Sequence, residues 1–178
     1  MAIRHRKLNR LKNFDYSSLG YYFVTICTKN RQEYFGNIID DKMVLSKYGN
    51  IVQKYIFELP KRYKNIELDE FIIMPNHIHL IIIIKYTPIP VGTIHELSLR
   101  NINNQLQRRN MLLCKIIGFL KMNSSKQIHQ MGLNLFQWQR SYYDEIIRNE
   151  YSLYFISQYI RENPINWNED KNNLFTKI

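Results

Sequence analysis

Leu68-Asp69-Glu70-Phe71-Ile72-Ile73-Met74-Pro75-Asn76-His77-Ile78-His79-Leu80-Ile81-Ile82-Ile83-Ile84-Lys85 holds two apolar, β-branched runs parted by Pro75-Asn76. Such runs read as strands, here over 68–74 and 77–85, and so short a connection makes the pair antiparallel. Side chains alternate across a strand, so His77 and His79 face one way, with Ile81 and Ile83 behind them on the same side. Upstream, Tyr21 to Thr28 is aromatic and β-branched and reads as another strand, and 37–45 as a small hairpin turning at Asp40-Asp41. Ser46 caps a helix whose apolar residues Tyr48, Ile51, Val52, Tyr55, Ile56 and Leu59 share one face, and Pro60 is expected to end it. Downstream, 86–110 turns to Thr, Pro, Asn, Gln and Arg and reads as a long exposed loop. A helix with Leu113, Ile116, Ile117 and Leu120 inward runs to about Gln130. A strand over 142–147 and a last helix, capped by Asn149 and stopped by Pro164, complete the order. The resulting βαββαβ succession predicts an α+β, ferredoxin-like (RRM-like) antiparallel sheet with helices packed on it. That scaffold serves many unrelated activities, so it leaves function to the side chains.

The chain has 178 residues and a formal net charge of +10, an excess that favours nucleic acid, whose phosphates release counterions when neutralised. Charge alone leaves DNA, RNA and anionic lipid open. With 45% hydrophobic residues and five prolines, the composition is that of a folded protein. No run of about twenty apolar residues is present, and no apolar signal core follows the basic start, which predicts a cytoplasmic, non-membrane protein. Cys27 and Cys114 form no CxxC pair and are expected to be reduced, buried small hydrophobes. Residues 1–20 read as a basic arm, 21–167 as one folded domain and 168–178 as a tail.

Two imidazoles at alternate strand positions can converge on one metal ion, although HxH pairs are common and most are plain surface or core residues. A third ligand must come from elsewhere. On the last helix Tyr159 and Asn163 are four apart, placing a nucleophilic phenol and an amide oxygen on one face. The same spacing equally suits a buried stripe of Ile156, Tyr159 and Ile160 with Asn163 as a C-terminal cap. The chain has no GxSxG, Walker A or HExxH motif. His5, His95 and His129 stand alone on polar segments and read as surface residues. Trp138, Tyr142 and Tyr143, interleaved with Arg140, either stack on unpaired bases or close the core beside the last strand.

Four segments nevertheless carry a resemblance in order and spacing. They are Tyr22-Phe23-Val24-Thr25-Ile26-Cys27-Thr28 with Asn30-Arg31; Met74-Pro75-Asn76-His77-Ile78-His79-Leu80; Trp138 to Asp144 with Ile147-Arg148-Asn149-Glu150; and Tyr159-Ile160-Arg161-Glu162-Asn163-Pro164. Over roughly residues 15–167 the chain resembles the REP-associated tyrosine transposases, within the insertion-sequence-200-like single-tyrosine HUH transposases. The resemblance implies that His77 and His79 are the HUH metal pair, with Tyr159 as nucleophile and Asn163 as amide ligand of Mg²⁺ or Mn²⁺. It further implies nicking and rejoining of single-stranded, hairpin-containing DNA through a 5′-phosphotyrosyl intermediate, by a monomer or a homodimer. Arg4, Arg6, Lys7, Arg100, Arg108, Arg109, Arg140 and Tyr142 are the expected DNA contacts. The rival readings are a non-catalytic hairpin DNA or RNA binder on the same sheet, a zinc phosphodiesterase using water, and a domesticated relative. The first lacks the Lys/Arg-Gly-Phe run of RNA-recognition sheets.

Overall fold

In the computed structural model, residues 14–86 and 111–173 are described. Their strands are β1 (Gly20–Cys27), β2 (Gly36–Ile39), β3 (Lys42–Leu45), β4 (Ile66–Met74), β5 (His77–Ile84) and β6 (Tyr143–Ile147). Their α-helices are α1 (Lys47–Arg62), α2 (Leu112–Gln130) and α3 (Glu150–Glu162), with short 3₁₀ turns at Lys29–Arg31 and Trp167–Glu169. The arm residues Arg4, Arg6 and Lys7, the loop residues Arg100, Arg108 and Arg109, and His5 and His95 lie outside the described residues.

The hairpin read from Pro75-Asn76 forms as expected, with Met74 opposite His77 and Ile66 opposite Ile84, and a bulge between Leu68 and Phe71. β5 also pairs antiparallel with β1, and β1 with β6, so the sheet order is β4-β5-β1-β6. With α1 between β1 and β4, and α2 between β5 and β6, this is the ferredoxin-like α+β arrangement. Asp40 and Asp41 adopt φ of 48° and 57°, the left-handed pair that a two-residue hairpin turn requires. The β2–β3 ribbon they join forms its own small sheet.

The helices begin where their caps dictate. Ser46 Oγ accepts from the N–H groups of Tyr48 and Gly49 at 3.1 Å and donates to the Tyr34 carbonyl at 2.6 Å. Pro60 does not end α1, contrary to expectation; it sits inside the last turn, and the helix closes at Tyr63, whose N–H reaches the Leu59 carbonyl at 2.9 Å. A proline so near the C-terminus forfeits one backbone bond without breaking a long ladder. α2 has no cap of its own; Ser17 Oγ, brought in from the segment before β1, accepts from the Leu112 N–H at 2.8 Å.

One face of the sheet carries Tyr22, Val24 and Ile26 from β1 and Ile78, Leu80, Ile82 and Ile84 from β5. α1 covers it with Ile51, Val52, Ile56 and Leu59, and α2 with Leu113, Ile116, Ile117 and Leu120. Burying each aliphatic side chain contributes about 1.5–3 kcal/mol. The opposite face carries Phe23, Ile81 and Ile147, against which α3 lays Ile160. No helix among the described residues is long and apolar enough to cross a membrane.

Candidate functional site

Strand alternation puts His77 and His79 on the α3 side of β5, opposite Cys27 and Thr25 of β1 and Met74 and Ile72 of β4. Both imidazoles are buried, and their Nε2 atoms face each other at 2.9 Å. His77 Nδ1 lies 2.8 Å from Asn76 Oδ1, so this nitrogen carries the proton and donates. His79 Nδ1 is 2.8 Å from Thr25 Oγ1, which accepts from the ring in the tautomer that leaves Nε2 bare. Holding the outward nitrogen in this way aims the other one at a ligand. Phe23 stacks on His79 at 5.4 Å and fixes its plane. Burial, helped by the Arg31 and Lys171 charges, pushes His77 down to about 3. Burial and then the neighbouring His77 hold His79 well below its ordinary value, against the opposing pull of Asp170. Both rings are therefore neutral near pH 7, the state in which imidazole binds metal.

α3 brings the phenol. Asn149 Oδ1 caps it by accepting from the Ser152 N–H at 2.7 Å, and Arg161 is held to Glu70 of β4 at 2.9 Å. Between these anchors Tyr159 sits 40% exposed at the rim, its hydroxyl 3.3 Å from His79 Nε2. Burial and then the Asp170 carboxylate push its pKa up, while an amide hydrogen bond from Asn163 pulls the other way. Asn163 keeps helical geometry, φ −55° and ψ −39°, despite preceding Pro164, where helical values are disfavoured. Its side chain is buried, with Nδ2 donating to Asp170 Oδ2 at 3.2 Å and Oδ1 left without a hydrogen-bond partner.

Asp170 is the candidate metal ligand that sequence reasoning missed. After Pro164 the chain turns through Trp167–Glu169 and returns Asp170 to the histidines, its Oδ2 3.9 Å from His77 Nε2. Because His77 is neutral, this contact is no ion pair. Ligand atoms of His77, His79 and Asp170 all lie within 4.8 Å of one another. The carboxylate is oriented by the Asn172 N–H on Oδ1 at 2.5 Å. Residues 168–178 read as a featureless tail, and no spacing ties Asp170 to an HxH on a distant strand. The described part of that tail is instead packed, with Asn172 and Asn173 buried. The two Nε2 nitrogens, a carboxylate and an orphaned buried amide oxygen form a donor set that fits a divalent cation once the proton between the rings is displaced.

The remaining candidates divide. Arg140 lines an open cleft of about 660 Å³ with Lys29, Arg31, Gln137 and Gln139. Trp138 packs in the core, its indole N–H donating to Ser124 Oγ at 3.0 Å, so it is the core alternative that holds for this ring. Tyr142 is half-buried against α2, with its hydroxyl 3.6 Å from Cys114 Sγ, whereas Tyr143 points outward. His129 is no loose surface residue: its Nε2 meets the Phe136 carbonyl at 2.8 Å. Cys27 and Cys114 are free thiols as expected, but only partly buried.

No protein-family model matches the chain. It is 36% identical over 171 residues to an uncharacterized protein of Haemophilus influenzae, covering 96% of this chain and 94% of that protein. Among solved structures, it is similar to a REP-associated tyrosine transposase bound to a REP hairpin, with a TM-score of 0.54 and 17% identity, covering 94% of this chain and 74% of the other. At that identity the likeness establishes a shared fold.

Proposed function

We propose, for a chain that belongs to the same family as the Haemophilus influenzae protein, the activity of a metal-dependent, single-tyrosine transposase that nicks and rejoins single-stranded DNA beside a hairpin. The observation that carries this reading is the Tyr159 hydroxyl 3.3 Å from His79 Nε2, at the mouth of the His77–His79–Asp170 cluster. A water-using phosphodiesterase has no need of a phenol there. The transposase that shares this fold was solved on a REP hairpin, which supports hairpin DNA as the substrate class.

His77, His79 and Asp170 would hold Mg²⁺ or Mn²⁺, with Asn163 orienting Asp170 and offering its unbonded Oδ1. When bound, the cation supplies Lewis-acid polarisation of the scissile phosphate. Tyr159 Oη attacks phosphorus, forming a Tyr–O–P bond as the P–O3′ bond breaks. The electron pair leaves on O3′, which takes up a proton. The 5′-phosphotyrosyl linkage keeps the energy of the phosphodiester, so a second 3′ hydroxyl rejoins the strand without ATP. Tyr159 is neutral at rest, as a phenol with an ordinary pKa of about 10 is near pH 7; burial and Asp170 push its pKa further up, and its exposed rim position lets the phenolic proton pass to solvent. Arg140, with Lys29 and Arg31, offers positive charge to the flanking strand. The basic residues of the arm and the 86–110 loop remain proposed phosphate contacts, in a cytoplasmic protein.

The test is incubation with labelled hairpin DNA and Mn²⁺, followed by denaturing electrophoresis. The wild-type chain should give a denaturant-resistant protein–DNA adduct and Tyr159→Phe none. An adduct that survives Tyr159→Phe would overturn the assignment of the nucleophile.

A further inference from the structure

Asn76 occupies a two-residue hairpin connection, where side chains are ordinarily exposed and asparagine is ordinarily chosen for left-handed backbone. Neither reason applies. Asn76 is fully buried, and it is not among the residues with positive φ. Its side chain instead bonds to three different segments, with both Nδ2 hydrogens and Oδ1 engaged. Oδ1 accepts from His77 Nδ1 at 2.8 Å; Nδ2 donates to the Arg31 carbonyl at 3.1 Å and to the Asn172 carbonyl at 2.9 Å. The Asn172 carbonyl lies two residues beyond Asp170, in a segment that the Arg31 guanidinium also grips through the Lys171 carbonyl. Trp167, tilted over the His77 ring at 5.9 Å, closes the other end of this hook.

We propose that Asn76 is a positioning residue that assembles the cation site: one amide sets the His77 tautomer and clips down the 167–173 hook that delivers Asp170. The inference rests on the proposed cation site and deepens it, for it makes cation affinity depend on the docking of a distal segment. The amide is suited because it accepts on one side and donates twice on the other. A carboxylate keeps the bond to His77 Nδ1 but faces the two carbonyls with an acceptor.

Asn76→Asp in the full-length chain separates the two roles. Three readouts are taken without DNA: Mn²⁺ binding by calorimetry, the His77 ring-nitrogen tautomer by NMR, and trypsin cleavage after Lys171 by mass spectrometry. Asn76→Asp should keep the tautomer, speed cleavage after Lys171 by about 10-fold or more, and weaken Mn²⁺ by a similar factor, as expected for two lost buried hydrogen bonds. Asp170→Asn should weaken Mn²⁺ while cleavage after Lys171 stays slow, since its amide oxygen still accepts from the Asn172 N–H. Wild-type-like Mn²⁺ binding and cleavage in Asn76→Asp would overturn the clip. Should Asn76→Asp fail to fold, Asn76→Ser decides by the same readouts: unaltered Mn²⁺ affinity with a protected Lys171 overturns the proposal. A wild-type chain that binds no Mn²⁺ would sink the cation site itself, a result distinguishable from loss in the variant alone.

Discussion

The two faces of the central sheet are built from the same strands yet lead different lives. On one, Tyr22, Val24, Ile26, Ile78, Leu80 and Ile82 are sealed beneath α1 and α2. On the other, a smaller cluster of Phe23, Ile81, Ile147 and Ile160 occupies only part of the surface under α3. The rest of that second face holds His77, His79 and Thr25, with Tyr159 at a half-open edge. The contrast teaches how a small fold tolerates a costly site. Burying two imidazoles and a carboxylate costs stability, and the dry face is what offsets it. The proposed chemistry is thereby confined to the side where α3 leaves Tyr159 at a half-open edge.

The comparison breaks most visibly in activity. Tyr159→Phe should lower adduct formation by at least about 10³-fold in a gel assay, since no other group supplies the nucleophile, while the urea midpoint barely moves. A large shift of that midpoint would show that the open face is structural after all. On the dry face, Leu80→Ala should cost about 2–5 kcal/mol in urea denaturation by leaving a cavity. The corresponding change on the site face, Ile160→Ala, is expected to fall toward the lower end of that range because the helix above can settle. Equal losses would erase the distinction.

Tyr22 sharpens the comparison through pH. It is fully buried on the dry face, donates to the Ser18 carbonyl at 2.7 Å, and burial with the Asp15 charge pushes its pKa up to about 12. A raised folded value means the native state holds its proton longer than the unfolded chain. The associated stability is present below pH 10 and is lost as pH rises through 10 to 12, by about 2–3 kcal/mol. Denaturation series across that window should show a steeper fall for the wild type than for Tyr22→Phe. Smallest is the cap of α1: Ser46→Ala should cost about 1 kcal/mol, read as a small shift in melting temperature with adduct yield unchanged.

Much of this was legible from local rules. Strand runs, the Pro75-Asn76 turn, the caps at Ser46 and Asn149 and the shared face of His77 and His79 each follow from neighbours a few residues apart. Pro60 departs from its local signal because a proline's cost depends on how much helix follows it. Trp138 left two readings open because an aromatic ring beside basic residues has the same local pattern whether it packs or stacks. His129 looks like a surface residue from its neighbours alone because the carbonyl it meets, that of Phe136, belongs to a loop beyond the end of α2.

Residues 68–85 by themselves dictate an antiparallel hairpin with two imidazoles on one side, because strand periodicity is a property of consecutive residues. Asp170 and Asn163 join those imidazoles only through the packing of α3 and the hook that follows it, and the same packing brings the Asn172 carbonyl to the Asn76 amide. Their separations in sequence carry no period, so nothing short of the folded chain brings a carboxylate from position 170 within reach of position 77.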